Sequence, residues 1–295
     1  MRTLRTVAEL RAALARERRG GRSIGLVPTM GAFHEGHLSL MRRARAESDV
    51  VVVSLFVNPT QFHPGEDLAA YPRDEAADAA QAEALGVDLL FTPSPEEVYP
   101  PGFATEVRVG ELTDPLEGAA RGAEHFHGVT TVVTKLFNMV GPDVAYFGQK
   151  DAQQVAVVRR LVRDLDLPVR IEVCPTVREP DGLAMSSRNR YLEGAHRERA
   201  TALSQALRAV EDAVQGGERD AAAIAAAARA RLAEQGVEPE YLELVSADTL
   251  ARVDRVGDAD VLVAVAARVG PARLIDNTIL LAASPLSRGT SPRRQ

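Results

Sequence analysis

The run Ser23-Ile24-Gly25-Leu26-Val27-Pro28-Thr29-Met30-Gly31-Ala32-Phe33-His34-Glu35-Gly36-His37 decides how the rest of the chain is read. Residues 23–27 are β-prone, the next ten carry glycine and histidine, and residues 38–47 then repeat apolar side chains at three- and four-residue spacing. Strand, glycine-bearing turn and amphipathic helix in that order open a βαβ unit. The order recurs: residues 49–57, 88–91, 143–147 and 169–174 read as further strands, and 75–85, 129–140 and 152–165 as crossover helices. Val50-Val51-Val52-Val53 shows no polar alternation, as befits a strand covered on both faces. These units predict an α/β fold with a right-handed, Rossmann-like parallel sheet.

The pattern changes after Tyr191. Ala-rich helical stretches over residues 196–214 and 220–235, parted by Gly216-Gly217, give way to short β-prone runs at 241–245, 260–269 and 273–280. The expected organisation is a Rossmann-like parallel-sheet domain over residues 1–188, a smaller C-terminal α+β domain over 189–283, and a disordered Ser-, Pro- and Arg-rich tail over 284–295.

Composition narrows the function classes. Thirty-five basic against 41 acidic residues leave a net charge of −6, which argues against broad nucleic-acid or anionic-membrane binding, so any anion must be held locally. No apolar run approaches the roughly 18–20 residues of a membrane span. The single cysteine, Cys174, excludes an intrachain disulfide and a cysteine metal cluster. With no signal-like apolar segment after Met1, a reducing cytoplasm is the expected location. Only two lysines, Lys135 and Lys150, stand among the basic residues.

Four segments carry candidate chemistry, and each follows a predicted strand, where open parallel sheets bind ligands. In the first, a helix N-terminus offers free N–H groups and a positive dipole to phosphate, and Gly31 and Gly36 allow close backbone approach. His34 and His37, three apart, would share a face and donate to phosphate oxygens; a zinc pair and a structural pair are the other readings. In the second, Asn58-Pro59-Thr60-Gln61-Phe62, the carboxamides of Asn58 and Gln61 suit a small polar acid, although an Asn-Pro turn is the simpler meaning. Nearby, Asp78 near a predicted helix start is equally a cap, a solvated carboxylate or an Mg²⁺ ligand.

The third segment, Phe147-Gly148-Gln149-Lys150-Asp151-Ala152-Gln153-Gln154, places Lys150, a compact point charge, where a phosphate would sit. Asp151 could cap the helix or accept from a ribose hydroxyl, and Gln154 lies one turn on from Lys150. The fourth, residues 175–190, holds Met185-Ser186-Ser187-Arg188 and reads either as a second phosphate clamp or as a linker.

Taken in order, these segments closely resemble the pantoate–β-alanine ligase family, over about residues 26–280. Residues 28–37 resemble its version of the HIGH signature of class-I-synthetase-like nucleotidyltransferases, and Met185-Ser186-Ser187-Arg188 its version of the KMSKS loop. The resemblance implies ATP-dependent condensation of pantoate with β-alanine through an adenylate, with Mg²⁺ accompanying ATP, in a homodimer whose second domain acts as a lid. It implies ATP contacts at Met30, Gly31, Ala32, Phe33, His34, Glu35, Gly36 and His37, at Gly148, Gln149, Lys150 and Asp151, and at Val177 and Met185 to Arg188. His37 is the family's assigned proton donor, with His34, Lys150 and Arg188 as its catalytic companions. Gln61 and Gln154 resemble the pantoate ligands, with Gln61 also toward β-alanine and Asn58 beside it. Gln149 replaces a frequent family Glu, and Ala152 a frequent aromatic. A nucleotidyltransferase acting on another small hydroxy acid is the alternative.

Overall fold

The computed structural model describes residues 1–63 and 68–282, so the expected disordered tail lies outside the described residues. The chain divides into two compact units, Met1–Tyr191 and Leu192–Gln295. In the first, the strands are β1 (Arg2–Leu4), β2 (Ile24–Thr29), β3 (Val50–Leu55), β4 (Leu89–Phe91), β5 (Val144–Gly148) and β6 (Arg170–Cys174). The helices between them are α1 (Val7–Arg19), α2 (Glu35–Glu47), α3 (Glu75–Ala84), α4 (Pro95–Val98), α5 (Glu117–Arg121), α6 (Ala123–Val140) and α7 (Ala152–Asp164).

All six strands run parallel in the order β1-β4-β3-β2-β5-β6. The predicted α/β sheet is thus present, with one strand the sequence did not announce: β1 is three residues long, pairs only with β4 and buries only Leu4. Helix α6 begins six residues before the expected start at 129, so the segment His125-Phe126-His127-Gly128 is helical.

The central strand sets the geometry. β2 stays in register with β3 from Ile24↔Val50 to Thr29↔Leu55, but its pairing with β5 covers only Gly25↔Val144 and Leu26↔Ala145. Beyond Ala145, β5 pairs with β6 as far as Gly148↔Cys174. The two strands therefore part toward their carboxyl ends, which opens a crevice at the point where the strand order reverses. Below it the core is dense: Val27, Met41, Ala44, Val51, Val53, Leu90 and Tyr146 are fully enclosed. Burying an aliphatic side chain of this kind contributes about 1.5–3 kcal/mol, and this layer fixes the strand ends rigidly enough to carry a site.

The second unit contains α8 (Gly194–Ala200), α9 (Ala202–Gln215), α10 (Ala221–Glu234) and the strands β7 (Pro239–Ser246), β8 (Val261–Val269) and β9 (Ala272–Leu280), paired antiparallel in the order β7-β8-β9. It is an α+β unit, as expected. The helix predicted over 196–214 is instead two, divided at Thr201, whose hydroxyl donates back to Glu198 O. Among the described residues no helix is long and apolar enough to cross a membrane.

Candidate active site

The turn after β2 is shaped by a residue far away in sequence. Gly31 has φ +90° and Ala32 φ +53°, backbone that exposes successive N–H groups on one side. Asp78, on α3 and 2% exposed, accepts from both Ala32 and Phe33: Ala32 N–H at 2.8 Å on Oδ2 and Phe33 N–H at 2.7 Å on Oδ1. A Cβ at position 31 would stand 2.9 Å from Asp78 Oδ2, so glycine is required there by conformation and by space. Burial pushes the Asp78 carboxyl above its ordinary pKa, and the two N–H bonds pull it back down. Each oxygen is held by one main-chain donor, which makes Asp78 part of the turn's own structure whatever further contact its remaining lone pairs make. It is a strut under the turn, and among the described residues no group of three His, Cys, Asp or Glu side chains could hold a metal ion.

The strut delivers the two histidines. His34 is the N-cap of α2: its Nδ1 accepts from Gly36 N–H at 3.2 Å, while His34 N–H points to His37 Nδ1 at 3.4 Å. Both Nδ1 atoms are therefore acceptors, which puts the proton of each neutral ring on Nε2. The rings lie 4.2 Å apart between centroids. Burial, with Lys150 nearby, lowers His34 to about 4; burial, with His34 and Lys150, lowers His37 to about 3. A Cβ at Gly36 would sit 2.8 Å from the His34 ring, so this glycine makes room for the cap.

A cavity of about 250 Å³ lies over the parted strands. Met30, His34, Gly36 and His37 line it from the first motif, Gly148, Lys150, Asp151 and Gln154 from the third. Val177 and Met185, Ser186, Ser187 and Arg188 line it from the fourth, where Met185 N–H donates to Val177 O at 2.9 Å and an Arg178–Ala184 bridge closes a tight loop. The sequence-predicted residues outside its wall are Gly31, Ala32 and Phe33, which form the strutted turn, Asp78 beneath them, Gln149, and Glu35, whose carboxylate pairs with Arg42 on α2.

Opposite the histidines, the wall comes from the turn after β3 and from α6. Asn58 and Gln61 both line it, but Asn58 is 1% exposed and its side chain is committed to the turn: Oδ1 accepts from Thr60 N–H and Thr60 Oγ1, and Nδ2 donates to Gly128 O and Gln61 Oε1. The expected direct substrate role for Asn58 therefore gives way to an internal one. The turn can lie on α6 because residue 128 is glycine; a Cβ there would meet Thr60 O at 2.3 Å. His125 Nδ1 lies 2.8 Å from Gln61 O and its Nε2 3.0 Å from Arg121, and since Arg121 can only donate, His125 gives its Nδ1–H to the Gln61 carbonyl.

Arg121, His125 and the apolar row Val129, Val132, Val133 and Leu136 line the cavity without having been singled out from sequence. The available signal was the adjacency of His125-Phe126-His127-Gly128 to an apolar helix.

A parallel sheet with a strutted, histidine-bearing turn at its switch point and a lysine across the crevice defines a nucleotide-using α/β protein. The model of the family described as pantoate-beta-alanine ligase matches residues 2–279, and the chain belongs to that family. It is 55% identical over 281 residues to the pantothenate synthetase of Roseiflexus castenholzii, covering 95% of this chain and 99% of that protein. Among solved structures, it resembles pantothenate synthetase from Thermus thermophilus (50% identity, 94% and 99% of the two chains, TM-score 0.89). It also resembles pantoate-beta-alanine ligase from Francisella tularensis complexed with beta-gamma ATP and beta-alanine (34% identity, 95% and 97%, TM-score 0.79).

Two outcomes follow from this geometry. Because both imidazoles are held neutral well below the ordinary 6.5, the unfolded chain binds protons that the native state refuses as pH falls from about 6.5 toward 4, and stability should fall with it. Thermal unfolding should show a smaller drop between pH 7 and pH 5 for His37→Asn than for the unaltered protein. Asp78→Asn presents an NH₂ group to a main-chain N–H and should destabilise the fold by about 1–3 kcal/mol in denaturant titration, with the KM for ATP raised more than that for the acid substrate.

Proposed function

We propose that the protein catalyses the ATP-dependent condensation of pantoate with β-alanine through a pantoyl adenylate, releasing pyrophosphate and then AMP. The observation that carries this reading is that one cavity has two chemically distinct walls. On one stand the Nε2–H groups of His34 and His37, the α2 N-terminus and Lys150, all donors suited to phosphate oxygens. On the other stand the Gln61 carboxamide and an apolar row on α6, suited to a small acid with hydroxyls and a dimethyl carbon.

In the first half-reaction the pantoate carboxylate attacks the α-phosphorus of ATP, and the bond to pyrophosphate breaks. The attack needs no proton, and neutral histidines serve it by hydrogen-bonding the charge that develops on the departing phosphates. His37 thus acts in this reading as a hydrogen-bond donor rather than a store of acid. Lys150 supplies a point charge to the same oxygens, with Ser186, Ser187 and Arg188 closing on the triphosphate from the 175–190 segment. Gln61 and Gln154 hold pantoate so that its carboxylate meets the phosphorus. In the second half-reaction the β-alanine amine attacks the acyl carbon, the amide bond forms as the nitrogen gives up a proton to solvent, and AMP leaves with the electron pair of the broken acyl–oxygen bond.

Mg²⁺ belongs to this reading as the counter-ion of ATP, held by the phosphates rather than by a cluster of protein carboxylates. A homodimer and a cytoplasmic location complete it. The location rests on the supply of ATP and on a lone cysteine that is buried and unpaired.

An assay with pantoate, ATP, Mg²⁺ and β-alanine, omitting each in turn, tests the reaction. AMP release should require β-alanine; AMP formed equally without any amine would instead indicate a nucleotidyl transfer that goes no further. Lys150→Arg keeps the charge but replaces a point with a planar fork. It should lower kcat/KM for ATP about tenfold or more, equivalent to at least about 1.4 kcal/mol of transition-state stabilisation.

A further inference from the structure

Gln61 is useful to a substrate only if the correct end of its carboxamide faces the cavity. A glutamine amide has a donor end and an acceptor end of nearly equal size, so something must break the symmetry. Asn58 does so, and its own orientation is fixed by groups that cannot change role. Gly128 O can only accept, which demands Asn58 Nδ2 at 3.1 Å; Thr60 N–H can only donate, which demands Asn58 Oδ1 at 3.4 Å. Asn58 Nδ2 then faces Gln61 at 3.1 Å and must meet its Oε1. The Gln61 NH₂ is left toward the cavity, beside the weak sulfur acceptor of Met30 at 3.0 Å.

The shortest bond holding Asn58 comes from outside the cavity wall. Tyr99 OH donates to Asn58 Oδ1 at 2.8 Å, with Thr60 Oγ1 3.3 Å away. Its ring is packed by aromatic neighbours, Phe103 at 5.1 Å and Phe56 at 6.2 Å between centroids. Lys135, the second of the two lysines, stands 4.5 Å from the Phe103 centroid and 5.8 Å from that of Tyr99. A cation at that distance over an aromatic pair is attracted to the ring faces and helps hold them in place.

We propose that Tyr99 is a positioning residue: through Asn58 it holds the Gln61 carboxamide with its NH₂ toward the substrate acid, so that the pocket selects oxygen acceptors on that acid. The inference rests on the reading of Gln61 as a pantoate ligand. Tyr99 itself does not line the cavity, and its hydroxyl acts on the substrate through the pair it orients.

Tyr99→Phe keeps the ring packing and removes only the hydroxyl. The KM for pantoate should rise about three- to tenfold, the range one neutral hydrogen bond commands, with the KM for ATP unchanged. Asn58→Asp, which can still accept from Tyr99 and Thr60 but cannot donate to Gln61, should show the same split more strongly. In a Gln61→Ala background, Tyr99→Phe should add nothing. The inference is overturned if Tyr99→Phe leaves the pantoate KM unchanged, raises both KM values together, or acts equally with and without Gln61. If Gln61→Ala alone leaves the pantoate KM untouched, the pocket reading itself fails, and the inference with it.

Discussion

A single buried carboxylate carries the nucleotide side of this protein. The turn after the central strand runs through two left-handed residues, Gly31 and Ala32, and so aims main-chain N–H groups into a region shut off from water. Left unpaired there, each would cost about 1–3 kcal/mol. Asp78 meets those of Ala32 and Phe33, and in doing so sets where α2 begins, where His34 caps it and where His37 falls one turn later. Burial still leaves the Asp78 pKa raised, although the same two bonds that make its charge useful counter part of that shift. A side chain whose sequence context offered a cap, a solvated carboxylate or a metal ligand braces the turn beneath the two histidines.

The histidines illustrate how one local arrangement decides chemistry. Their Nδ1 atoms are spent on backbone N–H groups, their environment disfavours protonation, and only Nε2–H remains as a donor. Neutral donors suit a step in which charge builds on oxygen and no proton must move.

Much of this could be read from sequence, for identifiable reasons. The parallel sheet was legible because each strand is followed by a turn and an amphipathic helix, and the continuous valines of β3 require cover on both faces. The positions of Lys150 and of the histidine turn followed from their place after strands. What was hidden depends on distance along the chain. Asp78 meets its partners across 45 and 46 residues, and no local pattern distinguishes a strut from a cap or a metal ligand. Asn58 could be recognised as polar and well placed, but not as already committed to Gly128 and Thr60. β1 went unannounced because three residues are too few to establish a period, and Arg121 and His125 because their relevance depends on how the end of α5 and the start of α6 lie against the 58–61 turn.

That contact at Gly128, where helix and turn touch with no room for a methyl group, has a consequence for how the pocket could change over time. In the proposed reading the phosphates lie against the ends of β2 and β5, and the acid against the turn after β3 and α6. In that reading a change of acid would fall on α6 and the 58–61 turn, which meet the other side where Gln61 Nε2 lies 3.0 Å from Met30 Sδ. The tight seam at Gly128 means that those two segments must vary as a pair.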